Sequence, residues 1–238
     1  MALRWAGLGP LVLRVELHTH TKRSHDGRDP VDLLLGQAAA VGLDAMAVTD
    51  HDDIEASLEA AELAPDYGLV GIPGTEVTSE AGHVLALGVH ESIDRGLPFL
   101  ETLDRIHAAG GIAVVPHPFQ KSRSGVGAYV SHAELASADA LEVYNSRLLT
   151  GRGNRRAKAF AVEHGLPMTA GSDAHISEMV GQAVTRIDTD ERSVEAITDA
   201  IRAGRTVVEG RRTPWRISFR QAAGGARRRV RARLVDLL

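Results

Sequence analysis

The stretch "VELHTHTKRSHDGRDP", residues 15–30, decides the reading of the fold. It passes from apolar residues of strand character into three histidines and an aspartate: His18, His20, His25 and Asp26. Residues i and i+2 of an extended chain face the same way, so His18 and His20 can hold one metal ion side by side. The chain has 11 histidines and no cysteine. It therefore has no disulfide frame or thiolate site, and its metal ligands must be imidazoles and carboxylates. A lone His-x-His pair is a weak signal. Its weight depends on whether further ligands stand at equivalent places.

Working outward, apolar runs recur at "LVLRVEL", "LDAMAVT", "LVGIPGTE", "HVLALGV", "GIAVVP", "ALEVYN", "LPMTAG" and "AVTRID". Segments of helical spacing fall between many of them, at 30–42, 53–64, 98–110, 153–165 and 192–204. Pro30 suits a first helical turn with Asp29 as its cap. Such alternation predicts a parallel α/β sheet, and about eight strands without a Gly-rich phosphate loop favour a barrel. In a parallel barrel, function sits at the carboxyl ends of the strands. His18 and His20 follow the first run, and Asp50, His51 and Asp52 follow the second. Glu76 ends the third, His117 follows "GIAVVP", and Asp173 and His175 follow "LPMTAG". His83 precedes its strand, so it needs an incoming loop or a reversed strand to reach the same rim. His90, His107, His132 and His164 lack this context and read as surface or packing residues.

Imidazole with carboxylate suits Zn, Mn or Fe. One carboxylate such as Glu76 can bridge two ions, and a hydroxide held between them is a nucleophile at neutral pH. Two or three cations also neutralise a phosphate ester's oxygens, which is the physical case for phosphoester hydrolysis.

The bulk properties narrow the alternatives. At 238 residues, 44% hydrophobic and 24% charged, the chain can bury one large core, alone or with a tail. Aromatics are 4%, too few to suggest a base-stacking platform. Arg14 and Glu16 interrupt the first apolar run and no small-residue cleavage site follows, so it reads as a strand rather than a signal peptide. No apolar run is long enough to span a membrane. A cytoplasmic setting is expected. The net charge of -4 is uneven: residues 211–238 carry nine arginines against one acid, which leaves -12 on the other 210 residues. The acidic body is not a nucleic-acid-binding body, whereas the Arg-rich tail is a candidate contact for nucleic acid or an acidic partner.

Taken together and in order, "ELHTHTKRSHDG", "AVTDHDD", "PGTEVTSEAGHVLALGV", "VVPHPF" and "TAGSDAH" resemble the PHP (polymerase and histidinol phosphatase) family of metal-dependent phosphoesterases, over about residues 14–209. The resemblance implies a distorted (β/α)7 barrel of the PHP type with two or three divalent ions (Mn, Zn or Fe) at the strand ends. It implies that His18, His20, Glu76 and Asp173 hold the first ion. Glu76 would bridge to a second, completed by His83 and His117. Asp26, His51 and His175 would hold a third. Either His25 or Asp26 could serve there, with Asp26 preferred because S-x-D-G matches the commoner pattern. Glu76, Asp173 and His175 are the expected catalytic residues. Phosphate contacts are expected from Lys22, Arg23, Lys121, Arg123 or Arg147, and a substrate contact near Asn145. The expected organisation is a metallohydrolase domain over 1–209 and a flexible or peripheral Arg-rich tail over 210–238. The expected reaction is hydrolysis of a small phosphorylated metabolite or nucleotide. The alternatives are a nuclease trimming RNA or DNA ends, and a hydrolase of carboxylic esters or amides.

Overall fold

The computed structural model describes residues 11–120, 122, 124–148, 151–214 and 216–217. Lys121, Arg123 and most of the Arg-rich tail lie outside the described residues.

Strand β1 (Leu11–Glu16) leads to helix α1 (Val31–Ala40), strand β2 (Ala45–Ala47) and helix α2 (Glu55–Leu63). The single run "LVGIPGTE" becomes two strands, β3 (Val70–Ile72) and β4 (Gly74–Thr78). Pro73 divides them, because proline has no N–H for a central ladder. β5 (His83–Leu87) follows through the short turn at 79–82, where Ser79 Oγ donates to the Gly82 carbonyl at 2.6 Å. Then come α3 (Phe99–Ala108), β6 (Ile112–Val115), α4 (His132–Leu135) and β7 (Ala140–Asn145). The described chain continues with α5 (Arg152–His164), β8 (Met168–Gly171), β9 (Ala183–Thr189), α6 (Val194–Arg202) and β10 (Thr206–Gly210). The four-residue α4, closed by a Ser131–Glu134 capping box, and β10 go beyond the sequence expectation.

The strands form two five-stranded sheets, in the orders β10-β9-β1-β2-β3 and β4-β5-β6-β7-β8. Both are mixed, where the sequence suggested parallel pairing. β1-β2-β3 and β6-β7-β8 are parallel, while β5 runs against both its neighbours and β9 against β1 and β10. The cause at β5 is the turn at 79–82, which is far too short for the crossover that parallel strands need. Single bridges, Thr19 to Ala174 and His51 to Glu76, link the two sheets, and among the described residues no continuous closed sheet is seen.

One cluster of buried residues joins both sheets, including Leu13 and Val15 of β1, Leu85 and Leu87 of β5, and Ile112 and Val114 of β6. The sheets therefore share an interior. Helices cover the outside along narrow apolar stripes: Val31, Leu34, Leu35 and Ala38 of α1, and Phe99, Leu103 and Ile106 of α3, recur at helical spacing. The expected cap of α1 is corrected. Pro30 itself is the N-cap, and Asp29 instead accepts from the Ser177 N–H at 2.7 Å, fastening the histidine loop to the far end of the chain. Thr213 is buried, and its hydroxyl lies 2.8 Å from that of Ser146. No helix among the described residues is long and apolar enough to cross a membrane.

Candidate metal centre

The two bridges bring the loops after β1, β2 and β8 beside β4, so one rim gathers nearly every expected ligand. The reversed direction of β5 explains His83, because its first residue lies opposite Thr78 at the exit of β4. At the centre is Glu76, 1% exposed. Its Oε2 lies 3.3 Å from His18 Nε2, 3.1 Å from His20 Nε2 and 3.2 Å from His51 Nδ1. Its Oε1 lies 2.7 Å from His83 Nδ1 and 3.4 Å from His117 Nε2. Asp173 Oδ1 lies 4.0 Å from His18 Nε2 and 3.8 Å from His20 Nε2. On the other side of His20, His175 Nε2 is 2.6 Å from Asp26 Oδ2, and His51 Nε2 is 3.7 Å from Asp26 Oδ1. Asp26 thus stands between two imidazoles, while the exposed His25 lies against the His51 ring at 5.0 Å between centroids.

This is a donor set suited to divalent cations. Ligand atoms of His18, Glu76 and His117 lie within 4.8 Å of one another, as do those of His18, His20 and Asp173, of His51, Glu76 and His83, and of His20, His51 and His175. Glu76 Oε1, His83 Nδ1 and His117 Nδ1 are buried with no hydrogen-bond partner among the described residues. Buried polar atoms normally find partners. Imidazole nitrogens and carboxylate oxygens converging in a buried site fit a cation, so the residues present fit the ions that the resemblance implies.

The electrostatics point the same way. Burial works against the Glu76 charge, but His83 and His18 outweigh it and hold the carboxyl well below its usual range. Burial likewise opposes charge on His18 and His83, yet the facing carboxylates, Glu76 first, raise both. Burial lowers His51 to about 4, and burial with the neighbouring His175 lowers His20. Burial and the Arg147 charge lower His175. Burial opposes ionisation of Asp26, but its hydrogen bond to His175 and that residue's charge bring it far down.

Two buried carboxylates outside the expected set hold the candidate ligands in place. Glu142 Oε1 lies 3.0 Å from His18 Nδ1, while its Oε2 accepts from the His117 N–H at 2.9 Å and from Asn145 Nδ2 at 3.0 Å. Glu16 accepts from the backbone N–H groups of Ser172 at 2.9 Å and Gly181 at 3.1 Å, and burial pushes it up to about 7. The sequence does hold a signal for both: each is an acid inside an apolar strand, where charge is seldom buried without a task. Asp50 and Asp52 are structural. Asp50 accepts from Thr21 N–H and hydroxyl, and Asp52 from the Thr78 N–H at 2.7 Å. Three non-glycine residues of the site motifs take left-handed backbone: Asp52 at φ 52°, His117 at 31° and Asp173 at 52°. Such strain collects at functional sites. Gly27 has its own reason, since a Cβ there would sit 1.9 Å from the Thr21 carbonyl oxygen.

The centre opens into a cavity of about 390 Å³. Of the expected phosphate contacts, Arg147 lines it, with its guanidinium 3.0 Å from Asp173 Oδ1. Lys22 and Arg23 do not line it, and Arg23 is engaged by Asp53 at 2.9 Å and Glu55 at 2.6 Å. Asn145 is buried and braces Glu142, so it acts behind the ligands. Among the four remaining histidines, His107 pairs with Asp139 at 2.7 Å, and His132 and His164 pack on Phe160.

Comparison with known proteins shows what this chain is similar to. A family model described as PHP-associated matches residues 151–206. An uncharacterized protein of Methanocaldococcus jannaschii is 30% identical over 144 residues, which span 56% of this chain and 82% of that protein. The phosphoribosyl 1,2-cyclic phosphate 1,2-diphosphodiesterase of Eggerthella lenta is 38% identical over 104 residues, 39% of this chain and 38% of that enzyme. A two-domain protein of Bacteroides vulgatus containing a predicted PHP-like metal-dependent phosphoesterase superposes with a TM-score of 0.71 at 21% identity, over 84% of this chain and 65% of that one. The chain belongs to the PHP domain family.

Proposed function

We propose that this chain hydrolyses a phosphoester of a small phosphorylated metabolite or nucleotide, using two or three divalent ions held by the Glu76 cluster. One observation carries the reading: five histidine nitrogens lie between 2.7 and 3.4 Å of a single buried carboxylate. A carboxylate so surrounded serves as a bridge between ions. In this reading His18, His20, Glu76 and Asp173 hold one ion and Glu76, His83 and His117 a second, with Asp26, His51 and His175 a third position. When bound, the ions lower the pKa of coordinated water and neutralise phosphate oxygens as charge moves to the leaving group. The chain supplies the rest. Glu142 and Glu16 fix the ligand loops, Arg147 faces the cavity as the cation available to a phosphate oxygen, and Asp173 orients that guanidinium.

The same reading treats residues 1–209 as the metallohydrolase domain. It treats the two sheets as a distorted (β/α)7 barrel, with the order β1-β2-β4-β5-β6-β7-β8 closed through the two bridges. The test is metal content measured together with phosphomonoester hydrolysis, for wild type, Glu76→Gln and His117→Ala, with Mn, Zn and Fe supplied in turn. Two or three ions per wild-type chain, turnover of the ester and its loss in both variants are expected. Wild type that holds ions but cleaves only carboxylic esters would overturn the proposal.

A further inference from the structure

Beside the metal centre, across the turn of residues 145–148, lies a second cavity of about 320 Å³. Arg147 faces the first cavity, whereas Asn145, Ser146 and Leu148 line the second. Three cations line it, Arg155 and Lys158 of α5 and Arg212 just after β10, and no carboxylate does. None of the three lies within 4.0 Å of a carboxylate among the described residues, although the body of the chain is acidic. Elsewhere on the surface the acids are used: Arg14, Arg23, Arg105, Arg186, Arg192 and Arg202 each have a carboxylate within 4.0 Å. Residues 152–158 hold four cations and no acid, and of these Arg156 is turned away onto the Phe119 ring at 4.2 Å.

Unpaired like charges crowded around one concavity repel one another, and an anion relieves that repulsion. The half-buried Tyr144 also lines the cavity, an aromatic surface beside the cations, with the buried Val143 behind it. A ligand with a phosphate and a planar ring matches both halves, whereas a free phosphate would use only one.

We infer that this cavity is a second binding site, for a phosphate-bearing nucleotide unit covalently continuous with the ester held at the metal centre. The substrate then carries at least two nucleotide units, and the turn at 145–148 separates the reacting unit from its neighbour. The inference rests on the phosphoesterase reading for what occupies the first cavity, but the second site is tested by binding alone.

The test uses the full, metal-loaded chain and a fluorescently labelled single-stranded hexanucleotide with phosphorothioate linkages. Affinity is measured by anisotropy over a range of salt, for wild type and for Arg155→Ala/Lys158→Ala. The double variant is expected to bind at least tenfold more weakly. Its slope of log affinity against log salt should fall by about 1.4, since each phosphate contact to a single strand contributes roughly 0.7. Arg155→Lys/Lys158→Arg, which keeps the charge, should restore the slope. Competition separates the sources of the anion: a dinucleotide should displace the probe far better than inorganic phosphate. Equal affinity and slope in wild type and the double variant would overturn the site, as would equal displacement by phosphate and dinucleotide. Failure of the phosphoesterase reading appears separately, as wild type that does not cleave p-nitrophenyl phosphate.

Discussion

Replacing Glu142 with Gln should remove metal binding from His18 without unfolding the protein, and the reason is a tautomer. Glu142 Oε2 accepts from the His117 N–H at 2.9 Å and the Asn145 amide at 3.0 Å, so an oxygen is required on that side. Glutamine has one acceptor oxygen. Placed there, it turns its NH2 toward His18 Nδ1, 3.0 Å from Glu142 Oε1. Nδ1 must then accept, which moves the imidazole proton to Nε2. That is the atom 3.3 Å from Glu76 Oε2 and 3.1 Å from His20 Nε2, where an ion would bind. A protonated Nε2 has no lone pair for it. Loss of such supporting contacts costs roughly 10- to 100-fold in metal affinity, or about 1.4–2.7 kcal/mol. Each donor keeps a partner, so the metal-free variant should unfold within about 1 kcal/mol of wild type. Glu142→Ala differs: it strands three donors and should cost several kcal/mol. The assay is dissociation against chelators of graded strength, paired with urea denaturation of the metal-free forms. Wild-type affinity in Glu142→Gln would refute the tautomer argument, and a large loss of metal-free stability would move the effect to packing.

Gly171→Ala should act on the same pair from the other side. Its Cβ would meet Glu142 Oε1 at 2.5 Å and His18 Cβ at 2.6 Å, so about 1–3 kcal/mol of stability should be lost, with lower ion content, by urea denaturation and elemental analysis. Arg147→Ala should raise KM for a phosphoester about tenfold or more in steady-state kinetics, and Arg147→Lys should recover only part because it lacks the fork. Glu76 raises the pKa of His18 and His83, so their contribution to the metal-free fold is complete below the ordinary histidine value and is lost as pH rises through the raised values. Ions bind neutral imidazole, so loading at pH 7 should release protons and apparent affinity should rise with pH. Calorimetry in two buffers of different ionisation heat should show this, and identical heats would count against it. Chelation should lower Tm, since ion at a hundredfold its Kd stabilises by about 2.7 kcal/mol.

The site was more legible in the sequence than the sheet that carries it. Metal-ligand chemistry needs particular residue types at particular chain exits, so His18, His20, His51, Glu76, His117, Asp173 and His175 can be marked from the sequence as candidate ligands. Strand direction has no such marker. "HVLALGV" is equally apolar in either direction, and only the brevity of the turn before it sets β5 antiparallel. His83 was awkward for that reason alone. Glu16 and Glu142 stand inside apolar runs, where a strand reading counts apolar residues and treats an acid as an interruption. Burial reverses that logic: both are under 3% exposed and aimed at the ligand loops.

This division reflects how the centre is held together. His117 and Asp173 take left-handed backbone just past the ends of β6 and β8, a conformation costing of order 1–3 kcal/mol for residues other than glycine. Neither would persist at a loose strand end. The His117 N–H is tied to Glu142 in the adjacent strand β7, and Ser172, just before Asp173, is tied to Glu16 at the end of β1. Each strained residue is thus held by an acid from the next strand of the rim, and each acid also reaches His18, through its ring from Glu142 and its N–H from Glu16. The two sheets meet at a single bridge there, Thr19 to Ala174, between the His18–His20 and Asp173–His175 pairs. On this rim, contacts that join the sheets also hold the loops of the candidate ligands, so loosening either acid should disturb those loops before it disturbs the hydrophobic interior that the sheets share.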